Sequence, residues 1–336
     1  HYPLWVTGVA LLVAGFWSAW WPALAVGGTL VTLSAGLFAA VMLWTIARAP
    51  RRPVSAYFVA AGLISLVLVV LGGLTLAVDR QTGFLGGRML QVLPAHVLLG
   101  FVGWGVGTVM GVSYKLGPMF ALAHVADERP GWLCWGLLNG GLATLAAGLL
   151  AGWPLTVCLG SGVLILLAIL VFTLDTIRIL RSRHKKVLEP TQWHALAGLG
   201  YLLLCGGLTL RAALGGVGWW FDGRTALALG LLFLLGFVGQ TIMGYLYKIV
   251  PFLVWNRRYA PLVGRQKVPM MRDLIQDRAA RLTFWLYNAG LIGVLGAVLW
   301  EKSLIRPAAS VVALATWLFG LNLAAALRSP GKGGEK

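Results

Sequence analysis

Acidic side chains are scarce in this sequence. Ten Asp and Glu stand against 27 Lys and Arg in 336 residues, and only 11% of the chain is charged. Soluble proteins carry about 25% charged residues. A water-soluble domain of this length could not cover its surface with so few charges, which excludes an aqueous enzyme. Cysteine is scarce as well: Cys134, Cys158 and Cys205 are an odd number with no CxxC pair, which argues against a disulfide framework and against a zinc pattern. There are five histidines. A phosphate-cradling glycine loop in a strand–helix setting, an HExxH helix and a Gly-x-Ser-x-Gly elbow are all missing.

Apolar sequence is what the chain has in abundance: 59% of its residues, with 45 Gly and 16 Trp. Glycine is tolerated in membrane helices and tryptophan gathers at membrane interfaces. Ten runs are long enough to cross a bilayer, at about 20 residues each. They fall at 4–22, 24–47, 56–78, 89–121, 132–151, 155–180, 192–214, 225–255, 282–300 and 307–327. Backbone groups in lipid must be paired within the segment, so the runs are expected to be helices, and the alternating pattern of an outer-membrane barrel is not seen. The fold class expected is an all-α membrane protein of about ten transmembrane helices.

The net charge of +17 is explained by placement. Nineteen basic residues follow the even-numbered runs: Arg48, Arg51 and Arg52, then Arg129, then Arg178, Arg181, Arg183, Lys185 and Lys186, then Arg257, Arg258, Arg265, Lys267, Arg272, Arg278 and Arg281, and last Arg328, Lys332 and Lys336. Six lie at the other ends, namely Arg80, Arg88, Arg211, Arg224, Lys302 and Arg306. The positive-inside rule then puts the basic ends and both termini in the cytoplasm, with the protein in the cytoplasmic (inner) membrane. The charge is a topology signal and a contact with anionic lipid, not a nucleic-acid face. The longest connection, residues 256–281, is read as a basic cytoplasmic loop, either simply solvated or a docking surface.

The chain also repeats itself. Leu98-Leu99-Gly100-Phe101-Val102-Gly103 matches Leu234-Leu235-Gly236-Phe237-Val238-Gly239. Met110-Gly111, Tyr114-Lys115 and Pro118 match Met243-Gly244, Tyr247-Lys248 and Pro251, and Gly72-Gly73-Leu74-Thr75-Leu76 matches Gly206-Gly207-Leu208-Thr209-Leu210. The expected organisation is four helices in residues 1–121, four in 132–255, and a partial third unit of two in 282–327, where Trp285, Asn288, Gly290 and Leu291 echo Trp135, Asn139, Gly141 and Leu142. An even number of helices per unit makes the repeats parallel, unlike the inverted repeats of many secondary transporters.

Parallel four-helix repeats with His96, Gly111, Tyr114 and Pro118 in one helix resemble subunit I of the haem-copper oxidases, nearest to the C-type oxidase and nitric oxide reductase branch. That resemblance implies a twelve-helix scaffold whose third to twelfth helices are present, with two more expected before His1. It also implies a respiratory, electron-transport setting with haem b or copper as cofactor and membrane redox subunits as partners. The family's copper histidines and paired haem histidines are absent here, so the chain alone is not expected to reduce oxygen. A transporter and a non-catalytic subunit or assembly factor are the alternative readings.

The scarcity of charge makes a few residues conspicuous. His96 alone of the histidines enters a run away from the basic ends, since His1, His124, His184 and His194 fall at helix ends or loops. An imidazole in lipid is costly and by default functional, and it ligates haem iron or copper; the rival reading is a hydrogen bond to a neighbouring helix carbonyl. Tyr114-Lys115 and Tyr247-Lys248 suit an interface belt with snorkelling lysines, or else a carboxylate, propionate or lipid-phosphate partner. Gln240 is buried by pattern and either bonds across helices or touches a ligand. Cys158 and Cys205 read as small packing residues. Asp175 and Arg178 read as a local i, i+3 pair.

Overall fold

The computed structural model describes residues 1–123, 127–184, 187–216 and 222–328. His124, Lys185, Lys186, Lys332 and Lys336 lie outside the described residues. Among the described residues the regular structure is entirely helical. The helices are α1 Tyr2–Ser18, α2 Trp21–Arg48, α3 Val54–Thr82, α4 Gly86–Ala121, α5 Arg129–Ala151, α6 Leu155–Arg181, α7 Pro190–Leu214, α8 Gly223–Arg258, α9 Asp277–Leu299 and α10 Ile305–Arg328. Nine of these, α2 to α10, are long and apolar enough to cross a membrane, which makes the chain a multi-span helical membrane protein.

The run at 4–22 is divided between two helices. α1 stops at Ser18 after 17 residues, where Ala19 turns left-handed at φ 52°. Pro22 is the reason: it has no amide hydrogen to continue an incoming helix but fits the first turn of a new one. Prolines likewise open α5 and α7. Asp222 opens α8, accepting from the Thr225 hydroxyl at 2.8 Å and its amide at 3.1 Å, and these bonds hold its carboxyl below the ordinary range. Pro118 and Pro251 sit inside α4 and α8, and neither ends its helix at once: α4 runs on to Ala121 and α8 to Arg258.

Contacts divide the chain into two compact units, His1–Arg183 and His184–Lys336. The boundary falls after α6, whereas the sequence likeness sets it between residues 121 and 132, because α5 packs against α3 and α4. Hairpins α1–α2, α5–α6 and α9–α10 each close on glycines. A Cβ on Gly8 would stand 2.9 Å from the Gly27 carbonyl oxygen, on Gly141 2.8 Å from that of Ser161, and on Gly290 2.8 Å from the Val312 nitrogen.

The pairs α3–α4 and α7–α8 also share one pattern of close approach. Gly111 meets the Phe58 Cβ and Gly244 the His194 Cβ; Gly103 meets Ser65 and Gly236 meets Tyr201; Gly62 meets Thr108 and Gly198 meets Thr241. By these contacts α3 and α7 correspond at 136 residues and α4 and α8 at 133. The LLGFVG and GGLTL likenesses stand three and two residues off that register. Both long helices carry a π-helical segment in their middle, Leu99–Val106 in α4 and Leu232–Gly239 in α8, again 133 residues apart.

Candidate functional site

Unit 2 holds a polar network inside its spans. His194 lies one turn into α7 and is fully buried. This corrects its expected place at a helix end: the first turn of α7 is packed under α8, where Gly244 has no side chain to keep the imidazole out. Its Nδ1 bonds the Oε1 of Gln240 on α8. An amide oxygen only accepts, so Nδ1 carries the proton and the neutral ring keeps its lone pair on Nε2. The Gln240 amide nitrogen donates to the Asn288 Oδ1 on α9 at 2.8 Å, the Tyr201 hydroxyl donates to the same oxygen at 2.9 Å, and Asn288 donates to the Phe284 carbonyl at 2.7 Å. Tyr287 donates to the Leu235 carbonyl inside the π segment at 2.9 Å. Gln240 therefore bonds across helices, the first of its two expected roles.

The same positions in unit 1 are apolar or small. Phe58 stands for His194, Ser65 for Tyr201 and Gly107 for Gln240. The tyrosines keep their place: Tyr114 packs its ring on Phe58 and Phe172 at 5.5 and 5.3 Å, and Tyr247 packs on His194 and Phe319 at 5.8 and 5.0 Å. Neither ring is exposed. The Tyr114 hydroxyl lies beside the Cys134 thiol and the Tyr247 hydroxyl beside Thr283 and Asn322, while the His194 Nε2 is buried without a hydrogen-bond partner among the described residues.

The lysines differ. Lys248 pairs with Glu189, whose side chain also caps the first turn of α7 together with Gln192. Lys115 is exposed, and Pro53 stands where Glu189 does. A carboxylate partner is thus present for one copy, and its acid comes from the residue before α7, which sequence spacing alone does not bring near Lys248. Asp175 and Arg178 form the expected i, i+3 pair at 3.9 Å.

His96 lies in α4 of unit 1, half-buried, about 27 Å along the helix from Tyr114 at the ordinary rise per residue. Its Nδ1 is 3.0 Å from the Val69 carbonyl oxygen on α3, and its ring rests on Gly72 and Gly73, where a Cβ on Gly73 would stand 3.1 Å from Cε1. The carbonyl only accepts, so Nδ1 donates and Nε2 is left with the lone pair. Unit 2 ties the same two positions with other groups: the Cys205 thiol reaches the Leu229 carbonyl at 3.9 Å. Among the described residues no three His, Cys, Asp or Glu stand together, so a copper site of several ligands does not fit around His96. Single axial ligation of haem iron does fit its donor set, because histidine ligands commonly donate their second ring nitrogen to a carbonyl in this way.

Residues 256–281 are folded, not a free loop. Tyr259 and Leu274 are buried against Val254 and Ala326, the Trp255 indole donates to the Pro269 carbonyl at 2.8 Å, and Asn322 exchanges bonds of 3.1 and 3.2 Å with the Gln276 backbone. Arg265, Lys267 and Arg272 remain exposed. No protein-family model matches the chain, and no curated protein is similar enough to count as a relative.

Of the sequence-derived candidates, the structure gathers Gln240 and Tyr247 around His194, and leaves His96, Tyr114 and Lys115 apart along α4. His194 and Tyr201, both buried, and the half-buried Asn288 are polar residues that sequence reading did not join into a network. The signal was there in the stripe His194, Gly198, Tyr201, which repeats at helical spacing along α7.

Proposed function

We propose that the chain is a membrane subunit of the haem-copper oxidase subunit I type, which carries one haem on His96 and serves a redox assembly of the cytoplasmic membrane. The observation that supports this reading is the bond from His96 to the Val69 carbonyl, which fixes the tautomer and leaves the lone pair on Nε2. A bound haem would supply one-electron transfer. The protein's part is to hold the imidazole between α3 and α4 with Gly72 and Gly73 against its ring. The ends of α2, α6, α8 and α10, rich in Arg, face the cytoplasm by the positive-inside rule, and the exposed Arg265, Lys267 and Arg272 form the surface on which redox subunits dock.

The purified full chain, expressed with haem precursors supplied, is expected to show a Soret band. His96→Gln keeps a donor for the Val69 carbonyl and is expected to lose the band while unfolding at the same temperature as the haem-free parent. A colourless parent protein, or a band unchanged in His96→Gln, overturns the reading.

A second reading, passage of a small polar solute, is favoured by one observation: unit 2 carries the His194, Gln240, Asn288 and Tyr201 network where unit 1 carries Phe58, Gly107, Asn139 and Ser65. Solute uptake by vesicles holding the parent protein and not His194→Phe would carry it.

A further inference from the structure

A groove of about 460 Å³ lies at the end of α8, lined by Leu253, Val254, Arg257, Arg258 and Leu327. We propose that it binds an anionic phospholipid, with the phosphate on the two arginines and the first part of an acyl chain on the leucines. The inference rests on α8 and α10 spanning a bilayer and is independent of haem on His96.

The chemistry of the lining is divided in the way a lipid is. Arg257 and Arg258 are the last two residues of α8, where a span that begins at Gly223 meets the headgroup layer. Guanidinium is the side chain best matched to phosphate, because its planar fork donates two parallel hydrogen bonds. Leu253 and Val254 lie one turn back toward the apolar part of the span, and Leu327 comes from the last turn of α10. Leu253 and Leu327 are 57% and 51% exposed, a large apolar opening for the end of a transmembrane helix. A soluble anion needs the arginines alone and gains nothing from these leucines. A lipid uses both, and basic pockets between helices are where phospholipid headgroups are held in membranes.

The floor of the groove is fixed. Val254 is buried in one cluster with Tyr259, Leu274 and Ala326, so the chain after α8 folds back and ties the end of α8 to α10. Among the described residues that line the groove there is no carboxylate. The carbonyls at the C-terminal end of α8 carry partial negative charge that disfavours an anion, and the adjacent guanidiniums offset it. The volume falls in the range of small-molecule sites, about 300–1,000 Å³.

The test uses the full chain, delipidated in neutral detergent and returned to nanodiscs of phosphatidylcholine containing a minor share of phosphatidylglycerol. Native mass spectrometry then counts retained lipids. The parent protein is expected to retain phosphatidylglycerol about tenfold above its share in the disc, given the surface attraction per basic residue. Arg257→Gln with Arg258→Gln should remove that enrichment. Arg265→Gln with Lys267→Gln, the same change of charge on the exposed segment, should leave it in place. Arg257→Lys with Arg258→Lys keeps the charge without the fork and should fall between. Absence of enrichment in the parent overturns the proposal, as does an equal loss in the 265/267 pair, which would mean diffuse attraction. Displacement of the lipid by millimolar inorganic phosphate would show a phosphate site with no use for the leucines, and overturns it too.

Discussion

Gly141→Leu is expected to prevent unit 1 from folding, while Gly140→Leu, one residue away on the same helix, is expected to be tolerated. A Cβ on Gly141 would stand 2.8 Å from the Ser161 carbonyl oxygen and 3.0 Å from side-chain carbons of Ile165 and Leu164. Real Cβ atoms do not approach a backbone oxygen so closely, and α6 would have to move away along its length to admit one. Overpacking usually costs about 1–3 kcal/mol, and a leucine driven into facing backbone lies at or above the top of that range. Nothing lies within 4 Å of a Cβ on Gly140, which points outward. Monodisperse yield by size exclusion and thermal unfolding in mild detergent read the contrast. Similar behaviour of the two variants would mean that the hairpin does not close at Gly141. Gly290→Leu should repeat the effect in unit 2, where the facing atom is the Val312 nitrogen at 2.8 Å.

Gln240→Leu should cost about 2–4 kcal/mol, and His194→Phe added to it should recover a good part of that loss. Gln240 is fully buried and serves two neighbours at once, accepting from the His194 Nδ1 and donating to Asn288. Leucine fills most of its volume and pairs with neither. The imidazole N–H is then buried without an acceptor, and an orphaned buried group costs about 1–3 kcal/mol. Phenylalanine at 194 removes that orphan and restores the solution that Phe58 already uses in unit 1. Replacing both partners of a bond by apolar groups is nearly neutral, whereas replacing one is not. A double-mutant cycle on thermal or denaturant unfolding gives the coupling directly. Additive losses would show that the two side chains act independently and that the network is incidental.

The helical spans could be read from sequence because lipid leaves the backbone no other solution, and because Pro22, Pro130, Pro154 and Pro190 punctuate the runs in plain view. The paired Tyr114 and Tyr247 were legible as positions but not as surroundings. Sequence offers the interface as the usual home of tyrosine, and the structure puts each ring among aromatic residues of neighbouring helices. His194 was hidden by its address, four residues past a proline in a stretch with Lys185, Lys186 and Glu189 nearby. Whether a helix end is buried depends on what crosses it, here the glycine at 244, which lies fifty residues away in sequence. The partner of Lys248 was hidden for the same reason. His96 was conspicuous because a lone imidazole in an apolar run has few neighbours to blend with. The correspondence between the units was only partly visible, since small apolar residues recur by composition and drew LLGFVG and GGLTL out of the register that the glycine contacts keep.

The π-helical segments in α4 and α8 have a consequence for how the two units loosen. A π turn reaches five residues back instead of four, and its ring of amides is wider and less well packed. In α8 the Tyr287 hydroxyl donates to the Leu235 carbonyl, and it stands where a Cβ on Gly239 would come within 2.8 Å of it. The matching position in unit 1 is Leu138, which has nothing to donate. Local opening costs least where backbone bonds are least supported. In the currency of amide exchange, residues 99–106 are therefore the weaker protected stretch and 232–239 the stronger. The helix that carries His96 is therefore expected to open first at its middle, between the half that bears the imidazole and the half that bears Tyr114.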